Sequence, residues 1–151
     1  MKYFPSQISL LILGLFIEKC SSSFPDTLEG KCFASTRVME GDDERELVQG
    51  THIELCFEEN GEITAYAGCN SAFSSCDLDD DDHLDCDDIF MSRMYCGADF
   101  EDQDSFVESF LGSKPVVALD GTDLGMSSGD TVISFVEKEE AELDRPFEGS
   151  K

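Results

Sequence analysis

The chain reads as an α+β domain, mainly antiparallel β, with one helix. Three features lead there. Short stretches alternate apolar with polar residues, tight-turn dipeptides separate them, and a single stretch carries its apolar residues at helical spacing. Many short antiparallel strands with one inserted helix leave room for one domain and no internal repeat in 151 residues.

The first 22 residues stand apart from that pattern. Lys2 precedes an apolar run, Ile8 to Ile17, too short to span a bilayer, and small and polar residues follow at Cys20-Ser21-Ser22-Ser23. That is the layout of a secretory signal peptide, so residues 1–22 are expected to be cleaved and the protein secreted. Ile17-Glu18-Lys19 before Cys20 lacks the small residues of a bacterial lipobox, which argues against lipidation there. No later stretch is apolar enough to cross a membrane.

The domain is expected over residues 23–136. Leu28 to Val38 forms the first strand region, and the charged run Glu40-Gly41-Asp42-Asp43-Glu44-Arg45-Glu46 is a surface loop. Ile53, Leu55 and Phe57 alternate with polar neighbours, so one face of that strand is buried. Asn60-Gly61 is a tight-turn signal, and Ile63, Ala65 and Ala67 alternate in the returning strand. Phe73 to Leu78 and Leu84 to Met91 flank Asp79-Asp80-Asp81-Asp82. Four consecutive like charges repel and desolvate badly inside a sheet, so they mark an exposed turn.

A helix should follow, capped by Asp99 and ended by Gly112, with Phe100, Phe106, Val107, Phe110 and Leu111 on one face. That stripe is expected to pack into the core. Val116–Leu119, Leu124–Met126 and Thr131–Val136 make three closing strands, with Asp120-Gly121 and Ser127-Ser128-Gly129-Asp130 between them. From Glu137 to Lys151 the chain is rich in Glu and Lys and carries a proline, the composition of a disordered acidic tail.

The order of these pieces is distinctive. A strand–turn–strand unit ends in Gly68-Cys69-Asn70, an acidic two-stranded excursion follows, then Met94-Tyr95-Cys96, a helix and three strands. It resembles the META domain, the family of the bacterial heat-inducible HslJ lipoproteins and of secretory-pathway proteins in some protists. The resemblance covers roughly two-thirds of the chain. It implies a small, partly open barrel-like sheet with the helix packed against it. It also implies that Cys69 and Cys96 lie close together and are bonded, and that Asn70 hydrogen-bonds the loop it enters. The family's links to envelope stress tolerance and to secretory processes are what the resemblance implies for function.

With Cys20 in the signal segment, six cysteines remain, which allow fifteen connectivities. An even count in a short secreted chain points to disulfides, and the absence of a Cys-x-x-Cys knuckle argues against zinc. Cys76 and Cys86 bracket the acidic turn and would face each other across a hairpin. Cys32 and Cys56 then pair by elimination, although Cys32 stands where the family usually has a buried tryptophan and Cys56 lies on the outward face of its strand.

Formal net charge is −24. Removing residues 1–22 takes away Lys2, Lys19 and Glu18, a net +1, leaving −25. That excludes a nucleic-acid footprint, which needs a basic stripe, and opposes docking on anionic lipid. It favours a soluble monomer and attracts cations or basic partners. Asp77, Asp79, Asp81, Asp85 and Asp88 fall at positions 1, 3, 5, 9 and 12 of an EF-hand count, which makes this hairpin the candidate calcium site. Asp82 occupies the position that needs glycine, and flanking helices are absent, so weak extracellular capture is the only form this could take.

No catalytic motif appears: the mature chain has only His52 and His83, with no nucleophile elbow, metalloprotease helix or phosphate loop. The expectation is a non-enzymatic secreted domain without a resident cofactor, binding an unknown protein or small ligand. Any ligand groove would lie at the open side of the sheet near the helix, lined by residues such as Phe57, Phe73, Phe106 and Phe110, but the same residues fit an ordinary filled core, which is the favoured reading. The alternatives are an extracellular calcium-binding module through Asp77–Asp88 and a small secreted inhibitor.

Overall fold

The computed structural model describes residues 24–139. The expected signal peptide therefore lies outside the described residues, as does the expected tail beyond Glu139. The strands are β1 (Lys31–Glu40), β2 (Asp43–Glu44), β3 (Glu54–Phe57), β4 (Glu62–Tyr66), β5 (Ser71–Leu78), β6 (Leu84–Cys86) and β7 (Phe90–Met91). The helix α1 (Ala98–Gly112) precedes β8 (Val116–Asp120), β9 (Asp123–Ser128) and β10 (Thr131–Glu137).

All pairings are antiparallel, in the order β6-β5-β4-β3-β1-β10-β9-β8, with β2 on β1 and β7 on β5. The two ends of this path nearly meet. Leu84 N–H donates to Pro115 O at 2.9 Å and Val117 N–H donates to Asp82 O at 2.8 Å, forming an isolated bridge between His83 and Val116. The sheet is thus a nearly closed barrel, pinned at one point on its seam.

Alternation explains what fills it. Phe33, Leu55, Phe57, Ile63, Ala65, Leu84, Leu124, Met126, Ile133 and Phe135 all point inward and are buried. Each fully buried large apolar side chain stabilises by about 1.5–3 kcal/mol. Phe24 and Leu28 close over this core before β1 begins, and Phe24 meets Phe57 edge-on with ring centroids 5.1 Å apart. Leu28 therefore belongs to a turn that plugs the barrel, three residues ahead of the strand it was expected to start. The helix supplies Val107, Phe110 and Leu111 from the other side of the core.

Several boundaries moved for local reasons. The charged run after β1 is shorter as a loop than expected, because Gly41, at φ 63°, turns the chain tightly and lets β2 pair with Met39 and Glu40. The stretch from Leu84 to Met91 breaks into β6 and β7, which pair with different parts of β5. Gly97, not Asp99, stands at the helix N-cap; Asp99 lies in the first turn beside Glu101, where carboxylates suit the helix dipole. β10 runs one residue past the expected boundary at 136, and the Lys138 N–H still donates to Cys32 O.

Candidate functional site

The best-organised polar cluster is a buried junction between the end of β4, the start of β5, the chain after β7 and α1. Gly68 makes the approach possible. Its φ is +105°, and a Cβ there would sit 2.7 Å from Thr51 Cγ2 and 3.2 Å from Phe100 Cε1. Asn70 then uses its whole amide: Nδ2 donates to Met94 O at 3.0 Å and to Asp104 Oδ2 at 2.7 Å, while Oδ1 accepts from Met94 N–H at 2.7 Å and Ser92 Oγ at 3.0 Å. Asn70 therefore serves Met94 as a strand partner would, through both its N–H and its carbonyl. The Cys69–Cys96 disulfide ties the same two segments, with Cα atoms 6.1 Å apart.

Sequence reasoning missed the helix's share of this junction. Gln103 and Asp104 are buried, Asp104 to 4 % exposure. Gln103 accepts from Val48 N–H at 2.7 Å and donates to Thr51 Oγ1 at 2.9 Å and to Ala67 O, so it latches the loop between β2 and β3 to the end of β4. The available signal was position: both residues fall on the stripe that runs from Phe100 to Val107 and Leu111. Nearby, the Tyr66 hydroxyl is pushed above its ordinary pKa, first by burial and then by the negative charge of Asp104 and Glu54.

The acidic turn sits on the barrel seam and is organised differently. Asp79 Oδ1 accepts from Asp81 N–H at 3.0 Å and His83 N–H at 2.8 Å, and these backbone bonds hold its carboxyl below the usual range. Asp82 follows in the left-handed region at φ 62°. Asp85 is engaged by Lys114 Nζ at 2.7 Å, an ion pair that raises the Lys114 pKa. Asp77 stands directly opposite Asp85 on the two strands. Among the described residues, no three His, Cys, Asp or Glu side chains gather into a metal-holding group, so Asp77, Asp79, Asp81, Asp85 and Asp88 are not drawn together as a calcium loop would require.

Phe57, Phe73, Phe106 and Phe110 do not line a common groove. Phe57 is buried in the barrel, and Phe110 packs under the helix. Phe106 is covered by the Arg45 guanidinium, 4.3 Å above its ring, and Arg45 is itself held by Glu40 at 3.1 Å and Asp102 at 2.5 Å. Phe73 points the opposite way, because Ala72, Ser74 and Cys76 take the inward positions of β5. Beneath the helix, the space between Leu55, Phe110 and Met126 is only about 10 Å³, about one probe sphere. Among the described residues, the core beneath the helix is filled. On the outside, Phe73 stands opposite Phe90, and the two line a shallow concavity of about 350 Å³ with Glu62, Thr64 and Ser75.

The META domain family model matches residues 26–140, more than three-quarters of the chain and both halves of the Asn70 junction. The chain belongs to the META domain family. An NMR structure of a protein from Burkholderia xenovorans is similar to this META domain, with a TM-score of 0.63 and 15 % identity over 91 % of this chain and 99 % of that one. A second NMR structure gives a TM-score of 0.59 and 18 % identity over 81 % of this chain and 98 % of the other. At such identities the likeness extends to the fold alone. No curated protein matches the chain.

Within the META frame, the other cysteines form two cross-strand staples. Cys32 faces Cys56 across β1 and β3, and Cys76 faces Cys86 across β5 and β6; in each pair the Cα atoms are 4.0 Å apart and bridged. Three disulfides are compatible with an extracellular protein. Among the described residues, no helix is long and apolar enough to cross a membrane.

Proposed function

We propose that this META domain is a non-enzymatic, secreted, monomeric binding module that engages a partner on its outer surface. The filled interior carries the reading. With about 10 Å³ left beneath the helix among the described residues, the barrel core has no room for a ligand, and recognition falls to the outer surface. Large apolar groups stand ready there: Phe73, Phe90, Met94 and Tyr95 are all exposed, and all come from the excursion between Asn70 and the helix. The disulfides fit an oxidising compartment, and the stress- and secretion-related setting of the family supplies the biological context.

Photo-crosslinking tests this directly. A photoreactive amino acid at Phe90, Tyr95 or Val132 is introduced into the secreted protein in its native medium. Discrete crosslinked proteins at one or more of these positions are expected. Absence of any crosslink at all three, or turnover of a substrate by the purified protein, would overturn the reading.

A further inference from the structure

The Phe73–Phe90 face carries more than exposed apolar surface. The two rings are cross-strand neighbours on the outside of β5 and β7, 48 % and 69 % exposed. On the β4 side Thr64 stands opposite Phe73, and its hydroxyl holds Glu58 at 3.1 Å. Glu62 stands opposite Ser75, lines the concavity, and is oriented by Asn60 at 2.8 Å. Asp77 follows two residues further along the same outward face of β5, and Asp87 and Asp88 lead into β7. The side chains that line the concavity include one carboxylate and no cation. Lys114 is paired with Asp85 and Arg93 with Glu108.

Aromatic faces rimmed by carboxylates attract one kind of group: a cation that can stack on a ring while its charge meets the rim. We infer that Phe73, Phe90 and Glu62 form a docking site for an arginine or lysine in a basic segment of a partner protein. This deepens the binding-module reading and rests on it. Charge complementarity selects the occupant, because a chain of net charge −24 steers basic segments toward itself and repels acidic ones. A second copy of this chain would bring the same acids against the same rim. Arginine suits the site best, since its planar guanidinium can lie on Phe90 and still donate to Glu62.

The experiment uses the purified, oxidised full chain and a fluorescent dodecapeptide of alternating arginine and glycine, followed by anisotropy at physiological salt. Two Phe73→Ser/Phe90→Ser changes are expected to weaken binding at least tenfold and Glu62→Gln severalfold. A lysine version of the peptide should bind more weakly than the arginine version. Asp80→Asn/Asp81→Asn removes two negative charges outside the concavity, one more than Glu62→Gln, and is expected to leave affinity nearly unchanged. All sites are exposed, and unchanged melting temperatures confirm folding; Phe90→Ser alone serves if the double variant melts early. Loss that follows total charge, larger in the Asp80/Asp81 variant than in Glu62→Gln and absent in the Phe73/Phe90 variant, would overturn the site as mere electrostatics. So would a dimer abolished by Phe73→Ser/Phe90→Ser with no peptide binding. If crosslinks form at Phe90 while the peptides fail to bind, the basic-segment inference falls and the binding-module reading stands. If neither occurs, both fall.

Discussion

Asp104 and Asp79 use their carboxylates in the same way in opposite surroundings. Each accepts hydrogen bonds that hold a turn or junction in place: Asp104 from the Asn70 amide, Asp79 from two backbone N–H groups. Asp104 is 4 % exposed, whereas the Asp79 side chain is 51 % exposed. Water can replace the partners of Asp79 at little cost. It cannot easily reach those of Asp104, so an unmet partner there carries its full desolvation penalty. The densest charge in the chain is therefore energetically quiet, and the consequential carboxylate is the buried one on the helix.

The largest effect should come from Asn70→Ala. It leaves the buried carboxylate of Asp104 with only the backbone N–H of residue 70 and the Met94 N–H without its acceptor, and about 2–5 kcal/mol of stability should be lost in urea unfolding. A loss below about 1 kcal/mol would mean water already serves the junction. The disulfides extend the same contrast. Cys69→Ser/Cys96→Ser opens a separation of 27 residues at the junction, worth roughly 3–4 kcal/mol in the chain-entropy picture. Cys76→Ser/Cys86→Ser opens only 10 beside the acidic turn, worth roughly 2.7 kcal/mol. A reversed order would show that strand pairing, not loop closure, sets their value. Gly68→Ala follows at about 1–3 kcal/mol, from its left-handed backbone and the contact with Thr51.

What was legible in the sequence follows from how local each determinant is. Asn60-Gly61 and Asp120-Gly121 specify hairpins within a few residues, and both glycines do adopt positive φ, 79° and 64°. Alternation at Ile53, Leu55 and Phe57 placed one face of β3 in the core without knowledge of its partners. The seam was not legible. Asp82 O meets Val117 N–H across 35 residues of chain, and nothing near either residue specifies that meeting. Gln103 and Asp104 hid for a related reason: a polar residue at a core-facing helix position looks like a flaw until its distant partners, Ala67 and Asn70, are known. Phe73 misled in the opposite direction, since its size suggested the core while the register of Ala72 and Ser74 turned it outward.

Divalent cations sharpen the contrast from the quiet side. Asp79 is committed to its turn and Asp85 to Lys114, so calcium and magnesium at equal millimolar concentration should raise the melting temperature equally, through screening of a −24 chain. Calorimetry showing a rise specific to calcium and abolished by Asp79→Asn/Asp81→Asn would make the turn a calcium site after all.

The smallest effect is the most specific in its sign. Backbone donors hold the Asp79 carboxyl below its ordinary value of 3.8, so the charged form is favoured by the folded chain. Its contribution is fully present above that value and is lost as pH falls through the lower, folded one. Wild type should therefore melt slightly above Asp79→Asn at neutral pH, and the gap should close only below 3.8. Asp79→Asn keeps an oxygen acceptor for the Asp81 and His83 amides, so the residual difference isolates charge from hydrogen bonding. A gap that persisted undiminished into strong acid would assign the turn's geometry to Asp82 and its left-handed backbone instead of to the Asp79 carboxylate.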